Sequence, residues 1–221
     1  MKLERPVSHA IYDLDGVLLD TEPLYTRVTQ AIVGEYGKTF DWSIKKHMIG
    51  RPSIESARYL VNALELPIAP EEYLDLRRDR LNELFLTTPA KPGAERFSRA
   101  VQARSVRQAI ATSSERVVFE YKRTSHAAWF SMFSVVVTGD DPRVGEGKPA
   151  PDIFLVAAAE IGAAPGDCVV FEDSPAGVEA ALAAGMQVVA LPDPELERER
   201  FAGADLIIDS FDDLEPADIG L

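Results

Sequence analysis

Asp13-Leu14-Asp15-Gly16-Val17 places two carboxylates two residues apart at the end of the first apolar run. Side chains at i and i+2 of an extended segment point the same way, so Asp13 and Asp15 can converge just beyond a strand end, where Gly16 lets the chain turn away. Two such carboxylates divide labour: one attacks an electrophile or binds a cation, and the other moves a proton. Asp and Gly are also ordinary turn residues, so the same pattern fits an acidic turn.

Three further groups follow along the chain. Thr112-Ser113-Ser114 offers a hydroxyl and backbone N–H groups ahead of a helix, which makes an anion cradle, although Thr112 with Glu115 also fits a capping box. Gly147-Lys148-Pro149-Ala150-Pro151-Asp152 sets a lysine in a stiff segment, either to deliver a fixed positive charge or as an exposed loop lysine. Glu172-Asp173 suits a hard cation such as Mg²⁺, which needs only one or two carboxylates plus substrate phosphate, and equally suits a polar loop.

The elements that must position these groups are short apolar runs alternating with helical stretches. His9 to Tyr12, Arg107 to Ala111, Val135 to Val137, Cys168 to Phe171, Gln187 to Ala190 and Leu206 to Ile208 read as strands. They show little polar alternation, as strands of a parallel sheet covered on both faces do. Helices are expected from Pro151-Asp152 toward Gly162 and from Pro175 to a stop at Gly185. Strand, helix, strand is the pattern of an α/β fold with a doubly wound, mainly parallel sheet. Residues 21–88 break that rhythm with helices over Leu24 to Tyr36, Ser53 to Leu64 and Glu71 to Leu86. The division expected is a core of 1–20 and 89–221 with a helical cap inserted at 21–88, joined by hinges near Leu18 to Pro23 and Thr87 to Pro92. All four chemical groups then fall at the carboxyl ends of strands, where open α/β sheets bind ligands, and together they make a phosphoryl-transfer centre.

In order and type, Asp13-Leu14-Asp15-Gly16-Val17, Thr112, Lys148 and Glu172-Asp173 resemble the four motifs of the haloacid dehalogenase superfamily. Asp20-Thr21-Glu22, Gly147 to Phe154 and Phe171 to Ala181 are similar to its branch containing β-phosphoglucomutase and pseudouridine-5′-phosphatase. The resemblance implies a Rossmann-like core and a phosphatase acting on a nucleoside, sugar or polyol phosphate. It implies Asp13 as nucleophile and Asp15 as acid and base. The same resemblance assigns Thr112, Ser113 and Lys148 to the phosphoryl group, and Mg²⁺ to Asp13, Asp15, Glu172 and Asp173. A mutase and a non-catalytic phosphate binder are the competing functions. Tyr25 stands where the mutase pattern has a histidine, and Ser53 where it has a phosphate-binding arginine, although Arg51 lies two residues earlier. Tyr25 and Arg51 are therefore the candidate substrate contacts of the cap.

Composition narrows the partners. With 46% hydrophobic and 27% charged residues the chain has the balance of a globular protein rather than a disordered one. A formal net charge of −13 argues against nucleic acid and against an anionic membrane surface, and leaves a small phosphorylated metabolite as the partner. One cysteine, Cys168, excludes an internal disulfide and fits a reducing compartment, so a cytoplasmic monomer is the expectation. Glu195 to Arg200 reads as a solvated helix face, and Trp42 and Trp129 as packing residues.

Overall fold

In a computed structural model, which describes residues 3, 5–49 and 53–221, six strands form one parallel sheet in the order β3-β2-β1-β4-β5-β6. They are β1 (His9–Tyr12), β2 (Arg107–Thr112), β3 (Val135–Thr138), β4 (Cys168–Glu172), β5 (Gln187–Ala190) and β6 (Leu206–Ile207). The chain winds outward from β1 through β2 to β3, then crosses back to place β4 on the other side of β1. Such a reversal opens a crevice between β1 and its two neighbours at the carboxyl edge.

Register sets that edge. Tyr12 pairs with Ile110 on one side and with Phe171 on the other. The next residues of the three strands, Asp13, Ala111-Thr112 and Glu172, thus emerge at nearly the same height. Because side chains alternate between two covered faces, the middle of each strand is apolar on both: Ala10 to Tyr12, Ala109 to Ala111 and Val169 to Phe171. Tyr12, Ile110 and Phe171 face one core layer with Phe97, Trp129 and Phe211, while Ile11, Ala109 and Val170 face a second with Phe154, Ala157 and Val178. Helix α5 (Ala94–Ala103) covers the first face, and α8 (Asp152–Ile161) and α9 (Pro175–Ala183) cover the second.

Between β1 and α5 lie α1 (Glu22–Gly34), α2 (Trp42–Lys45), α3 (Ser53–Leu64) and α4 (Pro70–Phe85). Helix α1 starts two residues before its expected position, because Pro23 in the first turn needs no N–H partner and Glu22 complements the helix dipole. These helices pack round their own apolar cluster of Val28, Ile32, Leu60, Val61, Tyr73, Leu81 and Phe85. A buried hydrogen bond of 2.9 Å between Thr29 and Tyr73 ties α1 to α4. The two connections to the core lie side by side: Asp20 N donates to Pro89 O and Lys91 N to Leu18 O, both at 2.9 Å, and Leu19 bridges Ala90 in antiparallel fashion.

The remaining helices are α6 (Arg116–Lys122) and α7 (Ala127–Phe130). Glu195 to Arg200 is exposed apart from buried Leu196, but it forms a loop entering a single 3₁₀ turn, Arg198–Phe201, rather than a helix face. Trp129 is buried and donates to Ser98 Oγ at 2.8 Å, and Trp42 packs partly buried against the second core layer. Among the described residues no helix is long and apolar enough to cross a membrane.

Candidate active site

The carboxylate of Asp13 lies where β1 ends, with its N–H donating to Phe171 O at 3.0 Å. Lys148 reaches it from the segment before α8. Its Nζ donates to Asp13 Oδ1 and to Glu172 Oε1, both at 2.6 Å, and its side chain is 7% exposed. Glu172 is in turn held by Ser174, whose N–H and hydroxyl donate to Oε2 at 2.8 and 3.0 Å. Gly177 admits this arrangement, since a Cβ there would stand 1.8 Å from Glu172 Oε1. Lys148 is therefore fixed between two carboxylates, one from β1 and one from β4.

Asp15 is paired differently. Lys122 Nζ donates to its two oxygens at 2.6 and 2.8 Å, and Ser114 Oγ donates to Oδ2 at 2.9 Å. The turn after Asp13 carries this separation: Gly16 N donates to Leu19 O, and Gly16 has a φ of 78°. Asp13 and Asp15 line one cavity of about 610 Å³, together with Thr112, Ser113, Ser114, Lys148, Glu172 and Asp173. Thr112 Oγ1 accepts from Ser114 N at 3.1 Å, a local turn, and no side chain of Glu115 caps α6, so no capping box forms. Ser113 is exposed at the cavity wall.

Electrostatics distinguish the carboxylates. Burial pushes Asp13 up to about 7, with Lys148 opposing and Glu172 and Asp15 adding to the rise. Burial also raises Asp173, reinforced by Glu172, Asp13 and Glu22. For Asp15 burial is outweighed by the Lys122 ammonium, which holds it below the usual carboxylate range. Burial alone would depress Lys148 and Lys122, but their carboxylate partners raise both.

The acidic oxygens of Asp13 and Asp173 line one cavity, and Asp13 adds to the rise of Asp173, so the two form a hard donor set that suits a divalent cation. Among the described residues no group of three or more His, Cys, Asp or Glu side chains gathers as a metal cluster. A bound Mg²⁺ fits this setting because it accepts one or two carboxylates and completes its shell with other oxygens. Glu172, expected with the metal residues, spends its oxygens on Lys148 and Ser174. Gly16 is the tight spot: a Cβ there would fall 1.9 Å from Asp173 Oδ2, on top of a left-handed backbone. Gly16→Ala is expected to displace Asp173 and to destabilise the fold by about 1–2 kcal/mol or more. Urea unfolding and a Mg²⁺ titration of activity check both effects.

Lys122 was not legible in the sequence. It ends α6, flanked by Tyr121 and Arg123 like any exposed lysine, yet its side chain is fully buried. The available signal is its spacing three residues after buried Phe119, on the same helix face. Tyr25 of α1 lines the cavity, where its hydroxyl accepts from Lys122 at 3.5 Å and its ring lies under Arg77 at 5.6 Å. Ser53 lines the same cavity. Arg51 lies outside the described residues.

Comparison with known proteins gives this arrangement its family. The model for haloacid dehalogenase-like hydrolases matches residues 7–185, a span that includes all four groups at the sheet edge. The chain belongs to the haloacid dehalogenase-like hydrolases. It is 45% identical over 223 residues to a Drosophila melanogaster protein named "Probable pseudouridine-5′-phosphatase", covering 100% of this chain and 96% of the relative. It is 42% identical over 220 residues to (DL)-glycerol-3-phosphatase 2 of Arabidopsis thaliana, covering 97% and 92%. The hydrolase also superposes on CbbY from Rhodobacter sphaeroides, solved with xylulose-(1,5)-bisphosphate, with a TM-score of 0.81 and 25% identity over 97% of this chain and 100% of that one. Matches of this extent to phosphatases make the hydrolase a phosphoric monoester hydrolase.

Proposed function

We propose that the hydrolase cleaves a small phosphomonoester in two steps, through an aspartyl-phosphate on Asp13, with Mg²⁺ as cofactor. The observation that carries this reading is that two carboxylates in one cavity are matched to two different buried lysines, Lys148 on Asp13 and Lys122 on Asp15. Each carboxylate is thereby held for a separate task. Asp13 attacks phosphorus while Asp15 gives a proton to the departing alcohol, and Asp15 then takes a proton from the water that releases phosphate. Lys148, bound to Asp13, offsets charge on the phosphoryl oxygens, and the Thr112 hydroxyl and Ser113 N–H hold those oxygens. Mg²⁺, held by the carboxylates of Asp13 and Asp173 and the backbone carbonyl of Asp15, would lessen the repulsion between an anionic nucleophile and an anionic phosphate. Glu172 acts by holding Lys148.

Residues 21–88 act as a cap that covers the cavity and selects the alcohol. The volume of about 610 Å³ suits a compact metabolite. Thr26 Oγ1 and Asn82 Oδ1, from α1 and α4, line it as buried oxygens without a hydrogen-bond partner, which favours an alcohol rich in hydrogen-bond donors. Pseudouridine 5′-phosphate and glycerol 3-phosphate, the compounds in the relatives' names, both meet that requirement. Water is the acceptor, consistent with Tyr25 and Ser53 in place of the mutase residues.

A phosphate-release screen of the purified protein across nucleotides, sugar phosphates and polyol phosphates, with Mg²⁺ and with a chelator, tests this function. Metal-dependent release from a small phosphomonoester is expected. Stoichiometric conversion of β-glucose 1-phosphate to glucose 6-phosphate without phosphate release, in the presence of a trace of the bisphosphate, would establish a mutase instead. Asp15→Asn should lower turnover about 100-fold or more while retaining metal dependence, since its contact to the ion is expected from the backbone. Unchanged turnover would remove Asp15 from proton transfer.

A further inference from the structure

Lys122 is a fully buried ammonium that touches none of the groups expected to meet phosphate directly. Its Nζ contacts are Asp15 Oδ1 and Oδ2, Ser114 Oγ at 2.8 Å and Tyr25 OH at 3.5 Å. Above it stand two aromatic rings from the helical layer, Phe85 of α4 at 4.5 Å and Tyr25 of α1 at 5.8 Å. A buried lysine is costly unless paired and enclosed, so a fixed position here rests on both the carboxylate of the core and the rings of the inserted helices.

We propose that Lys122 is a positioning residue for Asp15 in the breakdown of the aspartyl-phosphate, seated from the helical layer by Phe85 and Tyr25. With three hydrogen bonds accepted from Lys122 and Ser114, the Asp15 carboxylate is locked in one orientation as an acceptor. That is the form needed to receive a proton. In this step the water oxygen bonds to phosphorus, its proton passes to Asp15, and the bond from phosphorus to the Asp13 oxygen breaks with its electrons returning to Asp13. Inorganic phosphate leaves, and Asp15 is protonated for the next departing alcohol. The seating of the inserted helices thus reaches the proton-transfer group through one lysine. The inference rests on the covalent mechanism proposed above.

The test uses 2,4-dinitrophenyl phosphate, whose leaving group needs no proton, with Lys122→Met and Lys122→Gln. For this substrate kcat/KM reports phosphorylation of Asp13 and kcat can be limited by its breakdown. Lys122→Met is expected to keep kcat/KM within about threefold and to lose about 100-fold in kcat, with a burst of one dinitrophenolate per enzyme and a phosphoryl group retained on intact mass. Lys122→Gln, which keeps a neutral donor, should fall between the two and serves if the methionine variant does not fold. Phe85→Leu should lower kcat in the same direction by a smaller factor. Equal losses in kcat and kcat/KM without accumulated phosphoenzyme, or an unchanged kcat, would overturn the role of Lys122. An unchanged kcat in Phe85→Leu would overturn the part given to the helical layer. If wild-type enzyme turns over yet Asp13→Asn does so equally, the covalent mechanism itself is lost, and this inference with it.

Discussion

Asp13→Asn is expected to abolish turnover, by on the order of 10⁴-fold or more, because an amide oxygen is a poor nucleophile. The substitution is nearly isosteric, and the side chain is buried and hydrogen-bonded to Lys148. Removing its charge also leaves Lys148 with Glu172 as its remaining anionic partner, so some loss of stability accompanies the loss of rate. Phosphate release from a generic phosphomonoester, measured beside a chelator control and a circular-dichroism spectrum, separates the two. Undiminished turnover would exclude a phosphoryl intermediate on Asp13.

Lys148→Met should be nearly as damaging, for a different reason. The ammonium lies between Asp13 and Glu172 at 2.6 Å from each, and both acids are buried. Deleting it leaves two carboxylates facing one another without a counter-charge, a loss of roughly 3–5 kcal/mol in a buried pair. Burial already pushes Asp13 upward, against the pull of Lys148. Without Lys148 the carboxyl of Asp13 should be more readily protonated, and a protonated Asp13 does not attack phosphorus. The expected result is a lower denaturation midpoint together with a turnover reduced on the order of 10³-fold. A variant as stable and as active as wild type would show that Lys148 neither balances the site nor assists transfer.

Three groups of the carboxyl edge were legible because each follows an apolar run of strand length: Asp13 after β1, Thr112 closing β2 and Glu172-Asp173 at the end of β4, whereas Lys148 reaches the edge from the segment before α8. Parallel register then brings them together without further information, since strands of one sheet end at one level. The helices α1, α3 and α4 were visible from their period, whereas α2 and α7, four residues each, are too short to show one. The partner of Asp15 was hidden for a deeper reason. Whether a lysine at the end of an amphipathic helix is solvated or buried depends on what packs against that helix, and for Lys122 the covering residues, Tyr25 and Phe85, come from an insert 37 to 97 positions away. The role of Glu172 was hidden likewise: two adjacent acids look alike in a sequence, and only the reach of Lys148 and Ser174 separates the one that holds a lysine, Glu172, from its neighbour Asp173.

The two chain crossings between sheet and helical layer run antiparallel, within hydrogen-bonding reach of one another, from Leu18 to Asp20 and from Pro89 to Lys91. An insertion whose ends meet in this way behaves as a cassette. Cutting it out and joining Asp20 to Pro89 would leave the sheet connected across a single hydrogen bond's distance, and any other segment with adjacent ends could be spliced there without moving Asp13. If the inserted helices select the alcohol as proposed, that choice and the chemistry of phosphate can drift separately through descent, except where insert and core touch, as the aromatic rings do at Lys122 and Trp42 does at the second core layer. A replacement cassette would have to supply its own cover for that lysine, which makes the position of Phe85 one place where exchange of such modules meets a constraint.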